Sequence, residues 1–280
     1  MIANDRLSGI DYDERGTGPT LVLVPGSCST GAAWRPVIAE WHDRYRCVTT
    51  SLLGYGRTAE RRTAAVADMA HEAEMLEAVV QRAAGPVHLV GHSFGGTTAL
   101  AVALRRRVPV LSLTVIEPPV PELLRHMGEH GHYSAFREMT DAYFAAFRGG
   151  NDSAIEAMID FYGGAGTFAG WPQKVRDYAV ATTPVNLLDW ICAYSFHLTR
   201  ACLAKVAVPA LVMCGGASHP AMKCATELLG QCLTDSSYAT VAGAAHFMIS
   251  THAGAVADEI ERHVSTCGIP ALFGGSGLQT

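Results

Sequence analysis

The sequence predicts an α/β protein with a mostly parallel, doubly wound sheet and one inserted helical cap. Six short apolar runs, rich in Val and Leu, alternate with helix-like stretches, a pattern typical of parallel strands covered on both faces. The alternation stops after residue 119 and resumes at residue 206, and the segment between them carries many aromatics and no strand-like run. The 280 residues therefore divide into a core (1–119 and 206–267), a cap (120–205) and a Gly-rich tail (268–280).

Apolar periodicity places the individual elements. The six runs predict strands at residues 20–24, 46–50, 87–91, 110–116, 210–214 and 238–242. The stretches between them predict core helices at residues 33–41, 66–84, 94–107, 220–230 and 253–266. In the second of these helices Met69, Ala73 and Leu76 share one face, which is the apolar stripe that a helix buries against a sheet.

Composition excludes several classes of protein. With 49% hydrophobic and 17% charged residues the chain is too apolar to be disordered, and no window holds about eighteen uninterrupted apolar residues. The net charge of −5, without a long basic run, does not indicate the basic surface that binds nucleic acid. Residues 1–7 contain polar side chains where a secretion signal needs an apolar stretch, so a cytoplasmic location is expected. The eight cysteines form no Cys-x-x-Cys pair, and neither a zinc cluster nor a redox motif is expected.

A serine flanked by glycines follows the third predicted strand. Gly91-His92-Ser93-Phe94-Gly95-Gly96 joins this strand to the helix predicted from Phe94 onwards. A sharp strand-to-helix turn strains the residue at its apex and requires neighbours without side chains two positions away, which Gly91 and Gly95 provide. The turn exposes the Ser93 hydroxyl at the start of a helix, where developing negative charge is stabilised. Ser93 is therefore the candidate nucleophile, and His92 is interpreted as a support of the turn.

The chain resembles the α/β-hydrolase superfamily. The motif around Ser93 carries this resemblance together with Val24-Pro25-Gly26-Ser27, Trp34 and Gly243-Ala244-Ala245-His246, and the resemblance extends from Leu7 to about Cys267. It implies the α/β-hydrolase fold with a helical cap. It also implies a serine hydrolase of the esterase- and lactonase-like branch, which needs no metal and no organic cofactor.

His246 is the candidate base. A serine hydroxyl needs a base to take its proton near neutral pH, and the pKa of histidine suits that role. Of the twelve histidines, His246 follows the last predicted strand in a loop of small residues, where the family carries its catalytic histidine. His252, at the start of the last helix, is interpreted as a solvated or capping residue.

The acid departs from the commonest pattern of the family. Most members carry Asp in the loop after the strand at residues 210–214, but that loop reads Gly215-Gly216-Ala217-Ser218-His219 and holds no carboxylate. Glu117, at the end of the preceding strand, is the expected substitute, because some family branches place a Glu acid there. The carboxyl edge of such a sheet is also where ligands collect. Asp235 is the weaker alternative.

Two backbone N–H groups, those of Ser27 and Phe94, are the expected oxyanion hole. The tetrahedral intermediate of acyl transfer needs two preorganised donors. In the family one comes from the residue after the nucleophile and the other from the loop after the strand that ends at Val24. Ser27 is preferred there over Cys28, and Pro25 replaces the usual His of the family. Cys28 is not expected to be a second nucleophile, because no partner is identifiable.

These residues predict acyl transfer to water through an acyl-enzyme on Ser93, with a carboxylic ester or a lactone as substrate. The same constellation also serves C–C bond hydrolysis, cofactor-free oxygenation and perhydrolysis, and a ligand-sensing receptor with little turnover is an alternative from another class.

The expected partner is a small apolar or aromatic carbonyl substrate. Aromatic residues of the cap are expected to lie over the pocket, some facing the substrate and others forming the core of the cap itself. They are Phe136, Tyr143, Phe144, Phe147, Phe161, Tyr162, Phe168, Trp171, Tyr178, Trp190, Tyr194 and Phe196. Neither nucleic acid nor a membrane is an expected partner, and a homodimer is left open.

Overall fold

A seven-stranded sheet forms the centre of the molecule in the computed structural model, which describes residues 9–267. The strands lie in the order β1-β3-β2-β4-β5-β6-β7, and they pair in parallel except β1, which is antiparallel to β3. Their bounds are Asp13–Arg15 (β1), Thr20–Val24 (β2), Arg46–Thr49 (β3), Val87–His92 (β4), Val110–Ile116 (β5), Ala210–Gly215 (β6) and Ser236–Val241 (β7). The predicted α/β architecture is confirmed.

Helices connect the strands and cover both faces of the sheet. The core helices are Arg35–Glu40 (α1), Met69–Arg82 (α2), Phe94–Arg105 (α3), Pro220–Cys232 (α11), Met248–Thr251 (α12) and Ala253–Thr266 (α13). Between β5 and β6 lie the helices of the cap, namely Pro121–His126 (α4), His130–Arg148 (α5), Ile155–Gly163 (α6), Thr167–Gly170 (α7), Gln173–Ala181 (α8), Thr183–Ser195 (α9) and Arg200–Leu203 (α10). The segment predicted to be helical is helical, while the predicted tail lies outside the described residues.

The alternation of side chains along β2 shows why the sheet needs helices on both faces. Leu21 and Leu23 point to one side, into a cluster that includes residues of α1 and α13. Val22 and Val24 point to the other side, into a larger cluster that includes residues of α2, α3 and the cap. Because successive strand residues alternate between faces, a strand that is apolar at every position is buried on both of them.

Several element boundaries differ from those predicted. β1 was not predicted, because this exposed edge strand reads Asp-Glu-Arg and has no apolar pattern. β7, the strand at the other side of the sheet, begins two residues before the predicted start, at two exposed serines. Helix α2 starts three residues late, because the Asp68 carboxylate caps it by accepting from Ala70 N at 2.7 Å. Helix α3 ends at Arg105, since Arg106 adopts the left-handed conformation that closes many helices.

No helix within residues 9–267 combines the length and the apolar character that crossing a bilayer requires.

Candidate active site

Ser93 occupies a strained turn between β4 and α3. Its φ of 53° and ψ of −130° lie in a region that residues with a side chain rarely adopt. A Cβ atom on Gly91 would overlap the carbonyl of Gly95, and one on Gly95 would overlap the carbonyl of Pro25. Both glycines are therefore required for the tight crossing of strand and helix that holds Ser93 at the carboxyl edge of the sheet.

Two hydrogen bonds join the side chains of Ser93, His246 and Glu117 in a row. His246 Nε2 lies 2.9 Å from Ser93 Oγ, and His246 Nδ1 lies 2.7 Å from Glu117 Oε2. Ser93 follows β4, Glu117 follows β5 and His246 lies in the loop after β7, so three parallel strands deliver the side chains to one edge. His246 is 2% exposed and Glu117 is fully buried. The structure thus brings together the three residues that the sequence singled out.

The environment of Glu117 keeps its carboxylate ionised. Burial favours the neutral form, but the hydrogen bond and charge of His246 and the N–H of Gly215 outweigh it, and the pKa of Glu117 falls to about 2. Gly215 N donates to Glu117 Oε1 at 2.7 Å. An ionised carboxylate can only accept, so His246 Nδ1 must donate the proton between them, which leaves His246 Nε2 free to accept the proton of Ser93.

The alternative residues lie elsewhere or are inert. Asp235 is exposed and precedes β7, at the opposite edge of the sheet from Ser93. Cys28 is buried, and burial raises the pKa of its thiol to about 12, so it carries no thiolate near neutral pH. Ser218, in the loop where the family usually has Asp, is buried, but its hydroxyl has no hydrogen-bond partner among the described residues.

His92 supports the loop that carries His246. Its Nε2 lies 2.8 Å from the backbone oxygen of His246, and the two rings are 4.9 Å apart. Burial lowers the pKa of His92 to about 3, so its ring is neutral and donates from Nε2 to that carbonyl. The interpretation of His92 as a support of the site agrees with this contact.

The two predicted oxyanion donors, Ser27 and Phe94, both border the cleft at Ser93. Within residues 9–267 neither of their backbone N–H groups donates a hydrogen bond to another part of the chain. Phe94 is the first residue of α3, so its N–H also benefits from the positive end of the helix. The Ser27 side chain, by contrast, is engaged: its Oγ donates to Asp189 Oδ2 at 2.6 Å.

A small cleft lies over Ser93 and is bordered on one side by the cap. Most of its lining is apolar: Phe94, Pro119, Met158, Ile159, Tyr162, Trp190, Ala193 and Phe247. The Tyr162 ring stacks on that of His246, with 4.2 Å between centroids. Other predicted aromatics, such as Phe136 and Tyr143, are buried in the core cluster instead.

Two polar cap residues of the cleft were missed at the sequence level. Asn186 and Asp189 lie three residues apart on α9, and each is 2% exposed. The side-chain oxygen of Asn186 has no hydrogen-bond partner among the described residues. A polar residue within a helix normally indicates a solvated face, so only the packing of α9 onto the core could identify these two.

Two groups of metal-type ligands lie outside the cleft. Donor atoms of Glu129, His132 and Cys224 are mutually within 4.8 Å, as are those of a second group, Glu122, His126 and His197. None of these residues borders the cleft at Ser93.

Comparison with known proteins decides the family. The chain matches the model of the alpha/beta hydrolase family over residues 21–259. It belongs to the alpha/beta hydrolase family. The predicted superfamily is thereby confirmed, and the matched range includes Ser93, Glu117 and His246.

Individual relatives of this alpha/beta hydrolase are distant. It is 33% identical over 93 residues to a pimeloyl-[acyl-carrier protein] methyl ester esterase from Aliivibrio salmonicida, a match that spans 33% of each chain. In structure it is similar to a thermophilic esterase from Thermogutta terrifontis, with a TM-score of 0.71 and 20% identity, covering 92% of this chain and 93% of that one. An enol-lactonase from Burkholderia xenovorans gives a TM-score of 0.72 and 17% identity, covering 91% and 96%. These structural similarities support the fold alone.

Proposed function

We propose that the chain is a serine hydrolase that cleaves a carboxylic ester or a lactone through an acyl-enzyme on Ser93. The observation that supports this most directly is the row of hydrogen bonds from Ser93 Oγ through the His246 ring to Glu117, with distances of 2.9 and 2.7 Å. Esterases and a lactonase are also among the proteins that the chain resembles.

The proposed reaction has two halves. His246 takes the proton of Ser93 as its oxygen bonds to the substrate carbonyl carbon, and the N–H groups of Ser27 and Phe94 stabilise the resulting oxyanion. The intermediate collapses as the bond to the leaving oxygen breaks, and His246 passes its proton to that oxygen. Water then attacks the acyl-enzyme, with His246 again as base, and the acid is released while Ser93 regains its proton. Glu117 remains ionised and stabilises the imidazolium in both halves.

The lining of the cleft favours a compact, apolar acyl group. Tyr162 stacks on His246 and Trp190 stacks on Tyr162, and both rings line the cleft. Long acyl chains would collide with these rings. The buried Asn186 oxygen, which has no partner among the described residues, favours a substrate that carries a hydroxyl or amide donor. We infer that the preferred substrate combines a short apolar acyl part with one such donor.

Hydrolysis assays test the proposal. Purified protein is assayed on p-nitrophenyl acetate and butyrate and on γ- and δ-lactones, with the Ser93→Ala variant as control and circular dichroism to check its fold. We expect turnover by the wild type and none above background by Ser93→Ala. A chelator should leave the rate unchanged, because the proposed steps use only groups of the chain and water. Tight binding of these compounds without turnover would instead favour a ligand-sensing receptor.

A further inference from the structure

Three donors from the core converge on one carboxylate of the cap. Asp189, on α9, accepts from Ser27 Oγ at 2.6 Å, although the two residues are 162 positions apart in sequence. The same carboxylate accepts from Tyr55 Oη at 2.7 Å and from Arg62 Nη1 at 2.8 Å. The contact from Ser27 is distinctive because its backbone N–H is the proposed oxyanion donor.

Burial makes this cluster costly to break. The Asp189 side chain is 2% exposed and that of Arg62 is fully buried. Burial raises the pKa of Asp189, and the Arg62 guanidinium opposes that shift. Arg62 also pairs with Glu60 at 2.8 Å and Glu72 at 3.0 Å. Removing one member of a buried ion pair leaves a charge without its partner, so α9 is firmly tied to the core at this point.

The loop that carries Ser27 needs an external contact to keep its shape. Cys28 has a φ of 57°, a left-handed conformation that is strained for a non-glycine residue. Ser29 Oγ donates to Gly26 O at 2.9 Å and closes the turn from within. The Ser27 hydroxyl, however, reaches out of the loop, and Asp189 is its acceptor.

We propose that Asp189 is a positioning residue that holds the oxyanion loop in place through the Ser27 hydroxyl, an inference that rests on the proposed function. The bond directs the Ser27 hydroxyl to the cap and leaves its N–H to face the reacting oxygen. Arg62 offsets part of the negative charge of this carboxylate, which reduces its repulsion of the oxyanion. The oxyanion hole is therefore complete only while α9 is docked, and the cap takes part in catalysis as well as in substrate selection.

A pair of serine variants provides the test. Ser27→Ala removes the contact to Asp189 and keeps the backbone N–H. Ser265→Ala also removes a serine hydroxyl, but at an exposed position of α13 outside the oxyanion loop and the cap. Each variant is assayed on p-nitrophenyl butyrate and with a fluorophosphonate. In the latter reaction the Ser93 Oγ–P bond forms as the P–F bond breaks, fluoride leaves and the proton passes to His246.

If the N–H of Ser27 is poorly oriented, it stabilises the transition state less, while binding of the substrate changes little. We expect Ser27→Ala to lower both kcat and the phosphonylation rate about 10- to 100-fold with KM within about threefold, and Ser265→Ala to stay within about threefold of wild type. The thermal midpoint of both variants should remain near that of the wild type, because Asp189 keeps Tyr55 and Arg62.

A second pair of variants separates positioning from stability. Asp189→Asn also alters the contacts to Tyr55 and Arg62, but its effect on kcat should pass through the contact to Ser27, so it should lower kcat in the wild-type background and add little to the loss in Ser27→Ala. Glu60→Gln, which weakens the Arg62 network at a distance from Ser27, should lower the thermal midpoint and spare kcat. Equal kcat for Ser27→Ala and Ser265→Ala, or additive losses of kcat in the double variant, would overturn the inference alone. A wild type that neither hydrolyses esters nor labels at Ser93 would overturn the proposed function and the inference with it.

Discussion

His246 Nδ1 lies 2.7 Å from Glu117 Oε2, so the carboxylate on the imidazole comes from the end of β5 and not from the loop after β6. Glu117→Gln should lower kcat about 10²- to 10⁴-fold with little change in KM, because a neutral amide cannot stabilise the imidazolium and favours the wrong tautomer. Ester hydrolysis measures the effect. Asp235→Asn is the matched control, and a larger loss in that variant than in Glu117→Gln would contradict the assignment.

Trp190 borders the cleft and should limit the size of the acyl group that fits there. Replacing Trp190 by Ala enlarges the apolar side of the cleft, and each additional methylene that can then be buried contributes about 0.8 kcal/mol. The ratio of kcat/KM for p-nitrophenyl octanoate to that for the acetate should therefore rise at least tenfold, an estimate that follows from two or more such methylenes. An unchanged ratio would mean that the acyl group lies elsewhere in the cleft.

Asn186 should discriminate between substrates with and without a hydrogen-bond donor. Its side-chain oxygen is buried and has no partner within the described chain, and an unpaired buried polar group costs about 1–3 kcal/mol. Asn186→Leu should raise kcat/KM for p-nitrophenyl butyrate and lower it for p-nitrophenyl 3-hydroxybutyrate. Parallel changes for the two esters would remove Asn186 from substrate recognition.

Burial of His88 should make the protein less stable in mild acid. His88 is buried in β4 with Nδ1 2.8 Å from Ser112 Oγ, and burial lowers its pKa to about 4 from an ordinary value of 6.5. Between pH 6.5 and pH 4, His88 is therefore protonated in the unfolded chain but mostly neutral in the folded chain. The free energy of unfolding should fall by about 3 kcal/mol as the pH drops to 4. Urea unfolding across this range should show a smaller fall for His88→Asn. His126→Asn, at an exposed position, should follow the wild type.

The sequence alone could identify those site residues that lie in a recognisable local motif. Ser93 could be identified because Gly91 and Gly95 mark the sharp turn, and His246 because its small-residue loop follows the last strand. Glu117 required a broader argument, since no local motif distinguishes it and only the missing carboxylate in residues 215–219 pointed to the neighbouring strand. In each case one edge of a parallel sheet brings together positions that are far apart in the chain.

Contacts made through the cap could not be predicted in the same way. Asp189 and Ser27 are joined across 162 residues, and nothing around Asp189 in the sequence distinguishes it from a solvated helix residue. Its role depends on the direction in which α9 packs, which is set by tertiary contacts of the whole cap. Edge strand β1 was missed for a related reason, because its pairing with β3 rests on backbone hydrogen bonds and its side chains are polar and exposed.

Trapping of the covalent intermediate tests the central claim most directly. The protein is mixed with p-nitrophenyl butyrate, quenched in acid within the first turnover, digested and analysed by mass spectrometry. We expect a butyryl group on the peptide that contains Ser93, and neither this adduct nor turnover in Ser93→Ala. Undiminished turnover by Ser93→Ala, or a butyryl group on another residue such as Cys28, would contradict that claim.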